Sequence, residues 1–163
     1  MKKIGFLFLA LFVAGFCFAD PVEGYWLSIN DKTGKINAGW HVYQEGGVLF
    51  ARVLSIADFP QDALAEGCKE SYAGFPVPGK VNEMTVVGTP WVFGLTQVRT
   101  GEWRGGNVID PEEGRMYGCR ITFRPADGRR FQTDTLEMRG TIGPFGRSQF
   151  WTKTDLETAS GLR

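Results

Sequence analysis

The sequence predicts an all-β fold, an antiparallel up-and-down barrel of about eight strands. Apolar and polar residues alternate in short segments, as they do in strands that bury one face. Turn residues separate nearly all of these segments, and no segment has the period and length of a helix that could cover a sheet. The pair Gly105-Gly106 suits a bulge or sharp bend, and closure into a barrel would leave no exposed strand edge.

The first 19 residues have the pattern of a signal peptide. Lys2 and Lys3 precede an apolar run from Ile4 to Phe18, and Ala19 is a small residue suited to cleavage. The run of roughly 15 residues is short for a membrane-spanning helix, which needs about 20. Phe16 before Cys17 argues against lipoprotein processing. We therefore expect an exported protein, periplasmic or secreted, with residues 20–163 as a single β-barrel domain.

Charge and composition exclude some classes of partner. The 163-residue chain has 18 basic and 18 acidic residues, and loss of Lys2 and Lys3 with the signal would leave 16 against 18. A net charge of −2 offers no electrostatic footprint for nucleic acid. No later segment is long and apolar enough to span a membrane, so we expect none in the mature chain.

The alternating segments and turn residues place the strands along the chain. Asp110-Pro111-Glu112-Glu113-Gly114 has Pro and Gly where a reversal between two strands needs them. The tail after Thr154 is predicted to form a short helix, with Thr154 as its cap. The predicted strands are approximately 24–29, 39–44, 48–56, 91–95, 103–109, 116–124, 131–142 and 147–152.

A long segment, residues 57–89, interrupts this pattern. It contains Pro60, Pro76 and Pro78 and shows no sustained period, which is typical of a lid, a binding loop or an insertion. Cys68 lies in it, and Cys119 lies on a later strand. In an exported chain these two cysteines predict a disulfide that tethers the loop to the sheet. Free thiols or a zinc site are the alternatives, and the lack of a nearby histidine makes zinc the poorer one.

Several motifs, taken in order, resemble a known family. They are Gly24-Tyr25-Trp26, Trp103-Arg104-Gly105-Gly106 with Asp110-Pro111, Leu136-Glu137-Met138-Arg139-Gly140, and Gly146-Arg147-Ser148-Gln149-Phe150-Trp151. Over residues 21–153 they resemble the bacterial exported family catalogued as domain of unknown function 2147. The resemblance implies a small lipocalin-type barrel and carries no established activity. The long loop around Cys68 departs from the family's shorter form.

The Gly24-x-Trp26 motif also resembles the opening motif of lipocalins. There the tryptophan closes the barrel floor and a late arginine packs across it as a cation over the indole. Arg139 and Arg147 are the candidates for that arginine. The alternative is that Trp26 is an ordinary core residue and both arginines are solvated.

Aromatic residues predict where a ligand would bind. Tyr72, Phe75 and Trp91 lie in or beside the long loop, where they would line the mouth of the barrel. Trp103 and Tyr117, which lie before and after the predicted turn at residues 110–114, complete the predicted ligand contacts. Barrels of about eight strands either are filled by side chains or hold one small ligand, and the sequence leaves both open.

No strong catalytic or metal motif is present. His41 is the sole histidine, it alternates with apolar neighbours, and it is expected to sit on the barrel wall rather than to act as a general base. Asp110, Glu112 and Glu113 are too few for an EF-type calcium loop. The loop carboxylates Asp58, Asp62, Glu66 and Glu70 have no fixed spacing that would pair them as acid and base. We expect no cofactor and no metal.

Three functions follow, in this order of preference. The first is a non-enzymatic barrel that binds a small apolar or amphipathic ligand under the 57–89 loop. The second is a structural or protein-interaction module of the cell envelope that uses the loop as its contact surface. The third is a hydrolase that uses the loop carboxylates.

Overall fold

A computed structural model of the chain describes residues 19–30 and 32–163, and the signal-peptide prediction falls almost entirely outside these residues. Eight antiparallel strands follow one another around a closed barrel. The last strand pairs with the first through Tyr25↔Thr154, Trp26↔Lys153 and Leu27↔Thr152. The predicted fold class is therefore confirmed. The strands are β1 Gly24–Ile29, β2 Ile36–Glu45, β3 Val48–Ile56, β4 Pro90–Arg99, β5 Glu102–Asp110, β6 Arg115–Arg124, β7 Thr135–Ile142 and β8 Phe145–Thr154.

The barrel has a filled end and an open end. At the filled end β1 begins, and the N-terminal segment crosses the barrel: Trp26 Nε1 donates to the Val22 carbonyl over 2.9 Å. The carboxylate of Asp20 accepts hydrogen bonds from the Gly101 amide and from Gln97 Nε2. The β1–β2, β5–β6 and β7–β8 turns and the start of the long loop lie at the other end, which is the open end.

The side chains form two cores on opposite faces of the barrel wall. The inner core fills the lower barrel and includes four fully buried or nearly fully buried residues of different strands: Trp26, Trp103, Ile121 and Trp151. The outer core lies mainly between the long loop and the outer face of β4 and β5, and it also includes Ala38 of β2 and Val53 of β3, which line the open end. Successive residues of β4 show the division, since Val92 belongs to the inner core and Phe93 to the outer one.

The long loop is an ordered layer on the barrel wall. A short 3-10 helix, η1 (Val81–Glu83), lies within it. Backbone hydrogen bonds fold the loop on itself, from Ala65 N to Met84 O (2.9 Å) and from Val86 N to Ala63 O (2.9 Å). Gly88 N also donates to Val53 O over 2.8 Å, which joins the loop to β3.

The C-terminal helix, α1 (Leu156–Ser160), packs on the outside of β1–β3. Its N-cap is Asp155, whose carboxylate accepts from Thr158 N over 2.8 Å, so the predicted cap at Thr154 is wrong by one residue. Gly39 permits this contact because a Cβ there would overlap the Ala159 backbone carbonyl. Ser55 Oγ donates to that same carbonyl over 2.7 Å.

Candidate functional site

A cavity of about 840 Å³ opens between the strand ends at the open end of the barrel. Ligand pockets in proteins usually measure about 300 to 1,000 Å³, so this volume suits one small molecule. Its deeper walls are mainly apolar and come from strands on opposite sides of the barrel: Trp40, Val53, Val108 and Met138.

A tryptophan pair separates the cavity from the filled part of the barrel. The rings of Trp40 and Trp151 stack with centroids 4.6 Å apart and planes 19° from parallel. Trp151 is fully buried, whereas Trp40 is half-buried and lines the cavity. Trp40 Nε1 donates to Ser28 Oγ over 2.9 Å, and Ser28 Oγ donates to Asn37 Oδ1 over 2.7 Å. The stack on Trp151 and the hydrogen bond at Nε1 together fix the Trp40 ring, which forms a flat apolar floor for the cavity.

Polar groups occupy one wall of the cavity. Tyr117 of β6 and Gln149 of β8 are both half-buried and line it. Gln149 Oε1 accepts from Trp151 Nε1 over 3.4 Å, and its amide NH₂ has two further N–H donors. An apolar floor with a few polar groups on the walls can orient an amphipathic molecule.

Exposed apolar side chains surround the entrance. Phe59 and Leu64 of the long loop and Ile142 and Phe145 of the β7–β8 hairpin all line the cavity and are all exposed, Phe145 to 75%. Such a concentration of exposed large apolar groups at one place is typical of a binding surface. Charged residues complete the entrance: Glu66, Asp110, Glu112, Glu113 and Arg147.

The acidic turn at the entrance is held by hydrogen bonds from its own backbone amides to Asp110. Asp110 Oδ1 accepts from the amides of Glu112 (2.9 Å) and Glu113 (3.1 Å). This arrangement closes the β5–β6 turn. In the described part of the chain, no three His, Cys, Asp or Glu side chains are grouped so that they could hold a metal ion.

The structure corrects the placement of three predicted ligand contacts. Tyr72, Phe75 and Trp91 lie in the outer core and do not line the cavity. Trp91 points away from the barrel interior, donates to Val86 O over 2.8 Å and packs 6.1 Å from the Phe75 ring. The loop aromatics therefore attach the loop to the wall instead of lining the mouth.

The other two predicted contacts lie in different places. Tyr117 lines the cavity. Trp103 is buried in the inner core below it, where its Nε1 is without a hydrogen-bond partner among the described residues. The structure thus brings one of the five predicted aromatics to the site. The residues that the sequence analysis missed are Trp40, Val53, Val108, Met138 and Gln149.

The disulfide prediction is wrong, because Cys68 and Cys119 are both free and buried. Cys119 lies in the inner core and Cys68 in the outer core, on opposite faces of the barrel wall. Burial raises the pKa of Cys119 to about 12, and burial also raises the pKa of Cys68. Neither thiol is activated as a nucleophile.

Close backbone packing attaches the loop at the position where the bridge was expected. A Cβ on Gly67 would overlap the Glu112 carbonyl, and one on Gly114 would overlap the Gly67 carbonyl. Tyr72 OH donates to Gly114 O over 2.7 Å and accepts from Lys69 N over 2.9 Å. The tethering of the loop was correctly expected, but its chemistry is non-covalent.

The cation over Trp26 is Lys153, not Arg139 or Arg147. Lys153 Nζ lies 4.4 Å from the Trp26 ring centroid and donates to Glu23 O over 2.8 Å. Gly24 leaves the space that this side chain occupies, since a Cβ there would stand 2.7 Å from Lys153 Nζ. Arg139 lies on the outer face and donates to Ser148 Oγ over 3.3 Å, and Arg147 lines the cavity entrance.

His41 lies on the outer wall, as expected, within a stack of aromatic rings. Tyr25 and Tyr43 stack on either side of it at 5.0 and 5.1 Å. Burial and the nearby Arg52 lower the pKa of His41. Of the loop carboxylates, Glu66 lines the cavity and Glu70 pairs with Lys80 at 3.0 Å on the exposed loop surface.

A protein-family model matches residues 24–153, and its description is "uncharacterized protein conserved in bacteria (DUF2147)". The chain belongs to the DUF2147 family. The matched range begins at Gly24 and includes Trp26, Tyr117 and Gln149. No functionally curated protein matches this DUF2147 chain in sequence.

One solved structure of similar fold is the protein HP1028 of Helicobacter pylori, which is described as a member of the lipocalin family. It superposes with a TM-score of 0.65 over 86% of this chain and 87% of that one, at 16% sequence identity. At this identity the likeness concerns the fold alone. Among the described residues, no helix is long and apolar enough to cross a membrane.

Proposed function

We propose that this DUF2147 protein binds a small apolar or amphipathic molecule in the cavity at the open end of its barrel. The observation that carries the proposal is the Trp40–Trp151 stack, which ends the filled core and leaves about 840 Å³ above it. An eight-stranded barrel has room for one small ligand when side chains do not fill it.

The chemistry of the walls supports an amphipathic ligand. Val53, Val108 and Met138 offer apolar contact in the deeper part, and the exposed Phe59 and Phe145 extend that contact to the entrance. Tyr117 and Gln149, which are the cross-strand partners of Val108 and Met138, offer hydrogen bonds to a polar group of the ligand. We assign ligand contact to Tyr117 among the aromatics predicted from sequence.

We also propose that the protein is exported and acts in the periplasm or outside the cell, without enzymatic activity. The signal-peptide pattern of residues 1–19 supports export. The well-defined contacts of Asp20, whose carboxylate binds Gly101 N and Gln97 Nε2, support a mature chain that begins there.

A fluorescence titration tests ligand binding directly. N-phenyl-1-naphthylamine, a neutral apolar probe, should bind the wild-type protein with 1:1 stoichiometry. Val108→Trp and Gln149→Trp, which place bulk in the cavity, should each weaken binding at least about tenfold, a loss of about 1.4 kcal/mol. Val98→Trp is the matched control, because Val98 is exposed on β4 and does not line the cavity.

Two results would contradict the proposal. One is an absence of probe binding to a folded wild-type protein. The other is equal binding to the two cavity variants and the control, which would locate the probe on the surface. In either case the protein-interaction alternative, with the loop as contact surface, would become the better account.

A further inference from the structure

The outer face of β5–β7 carries a row of arginines. Arg104 and Arg120 are directly paired across β5 and β6, and Arg120 and Arg139 are directly paired across β6 and β7. Side chains so paired stand about 4.5 to 5.5 Å apart at their Cβ atoms, and like charges there destabilise the sheet. The row therefore has an energetic cost that the fold does not explain.

Neighbouring carboxylates neutralise only part of this charge. Glu102 accepts from Arg104 Nη2 over 2.6 Å and from Arg99 Nε over 2.8 Å. Burial alone would raise the pKa of Glu137, but hydrogen bonds from Arg124 and Ser148 outweigh it and lower that pKa. Both carboxylates are thus ionised at neutral pH and are already engaged by arginines outside or at the edge of the row.

The balance of the face is strongly positive. Together with Arg99 at the end of the adjoining β4, it holds five arginines against two glutamates, whereas the whole chain has equal numbers of basic and acidic residues. The five are Arg99, Arg104, Arg120, Arg124 and Arg139, and the two are Glu102 and Glu137. A net charge of +3 on one face of a chain with no net charge is complementary to an anion.

Arg120 is the centre of the row and the least satisfied member. Arg104 donates to the Glu102 carboxylate, and Arg139 donates to Ser148 Oγ over 3.3 Å. Among the described residues, the one interaction found for Arg120 is the longer-range attraction of Glu137. Its guanidinium keeps five N–H donors for a further acceptor.

Two glycines lie beside the row. Gly118 and Gly146, on β6 and β8, present no side chain on this face, and Thr141 lies between them in register. A Cβ at Gly146 would stand 2.8 Å from Arg139 Nη2, so the Arg139 side chain lies over that glycine. The side chains of Arg139 and Thr141 therefore cover Gly146, and the Arg139 guanidinium lies on the β8 side of the row.

We propose that this row, Arg104–Arg120–Arg139, is a binding site for an oxyanion ligand with two adjacent anionic groups, such as a diphosphate. Neighbouring strands lie about 4.8 Å apart, so the row spans about 10 Å. One tetrahedral oxyanion would meet two of the guanidinium groups, and a second would reach the third. Arginine binds such groups in a bidentate manner, which favours phosphate chemistry over a single halide. The site lies on the outer wall and does not depend on the cavity.

Isothermal titration calorimetry with inorganic pyrophosphate at low salt tests the proposal. We expect 1:1 binding that weakens as salt rises, and at least about tenfold weaker binding by Arg120→Gln and by Arg139→Gln. Arg52→Gln is the matched control, because Arg52 is an exposed arginine on the outer face of β3, on the other side of the barrel. The control should bind pyrophosphate as the wild type does.

Thermal unfolding without ligand gives a readout that does not rely on binding. Removal of one charge from a self-repelling row should leave the melting temperature of Arg120→Gln unchanged or higher, which also shows that this variant folds.

A second arm uses phosphatidylcholine vesicles with and without phosphatidic acid. Sedimentation with the phosphatidic acid vesicles alone, lost in Arg120→Gln, would assign the phosphate to a lipid headgroup. Soluble pyrophosphate binding without sedimentation would assign it to a free ligand.

The proposal is overturned if neither pyrophosphate nor phosphatidic acid vesicles bind the wild-type protein at millimolar phosphate. It is also overturned if Arg120→Gln and Arg52→Gln bind equally well. Both outcomes would leave the cavity proposal intact, since the naphthylamine titration reports on a different surface.

Discussion

Lys153 lies over the face of Trp26, with its ammonium nitrogen 4.4 Å from the ring centroid, and joins the last strand to the first. Burial lowers the pKa of Lys153, so the ammonium is partly desolvated in this position. A cation over an indole contributes about 0.5 to 2 kcal/mol, with larger values for desolvated pairs. This contact stabilises the seam at which the barrel closes.

We therefore expect Lys153→Met to lower the free energy of unfolding by about 1 kcal/mol, as measured by urea denaturation. Lys69→Met, at an exposed lysine of the long loop, should have almost no effect. Gly24→Ala should be destabilising as well, because φ at Gly24 is +123° and a Cβ would meet Lys153 Nζ. Equal stability of Lys153→Met and the wild type would show that the contact contributes nothing to closure.

The seam also shows what the sequence allowed us to predict. The Gly24-x-Trp26 motif predicted an arginine across the Trp26 ring, and the structure has Lys153 there. The identity of the cation depends on which residue of β8 is paired with Trp26, and that register places Lys153 there. Arg147 is at the opposite end of the same strand, and Arg139 is on a strand that does not adjoin β1. Alternation predicts strands, but it does not give the register of the pair that closes a barrel.

The candidate site was harder to predict for a related reason. Trp91 and Phe93 stand out in the sequence, yet they face outward and lie under the loop. A strand whose two faces are both buried has no polar face to indicate which side is the interior. Alternation along β2 places Trp40 on the same face as Val42, but it does not show which face of the strand is the interior.

The two thiols give a second prediction. Native protein treated with iodoacetamide should show little modification of Cys119, because burial raises its pKa to about 12 and the thiolate is the reactive form. After denaturation without reductant, mass spectrometry should find both Cys68 and Cys119 alkylated. If the denatured protein took up no iodoacetamide until it was reduced, Cys68 and Cys119 would form a disulfide and this prediction would be wrong.

His41 makes stability dependent on pH. Its folded-state pKa is lowered by burial and by Arg52, whereas the unfolded value is 6.5. Below 6.5 the unfolded chain therefore binds a proton that the folded protein resists, so this contribution to stability is complete above 6.5 and is lost as the pH falls toward the lowered pKa. Wild-type protein should lose more stability than His41→Phe between about pH 7 and pH 5, as measured by urea denaturation.

The control for this experiment is Arg52→Gln. It removes the second cause of the lowered pKa and should reduce the pH dependence without abolishing it. Parallel stability curves for the wild type and His41→Phe would mean that the stacked imidazole titrates as it does in the unfolded chain.

The amino end of the described chain provides a test of processing after Ala19. The backbone nitrogen of Asp20 lies 3.0 Å from Glu23 Oε1. Cleavage would turn this nitrogen into an α-ammonium beside a carboxylate, an ion pair that contributes up to about 1 kcal/mol. Glu23→Gln should therefore destabilise a chain that begins at Asp20 more than one that begins at Ala19, as measured by thermal unfolding. An equal effect in both chains would mean that the charge at Asp20 plays no part.

The central claim is that the space above the Trp40–Trp151 stack holds a small apolar or amphipathic molecule. The most direct measurement is native mass spectrometry of the protein purified from the cells that produce it, compared with the same sample after denaturation and with the Val108→Trp variant. We predict a non-covalent adduct on the wild-type protein that disappears on denaturation and is absent from the variant. The claim is contradicted if the native wild-type protein carries no adduct and also fails to bind N-phenyl-1-naphthylamine.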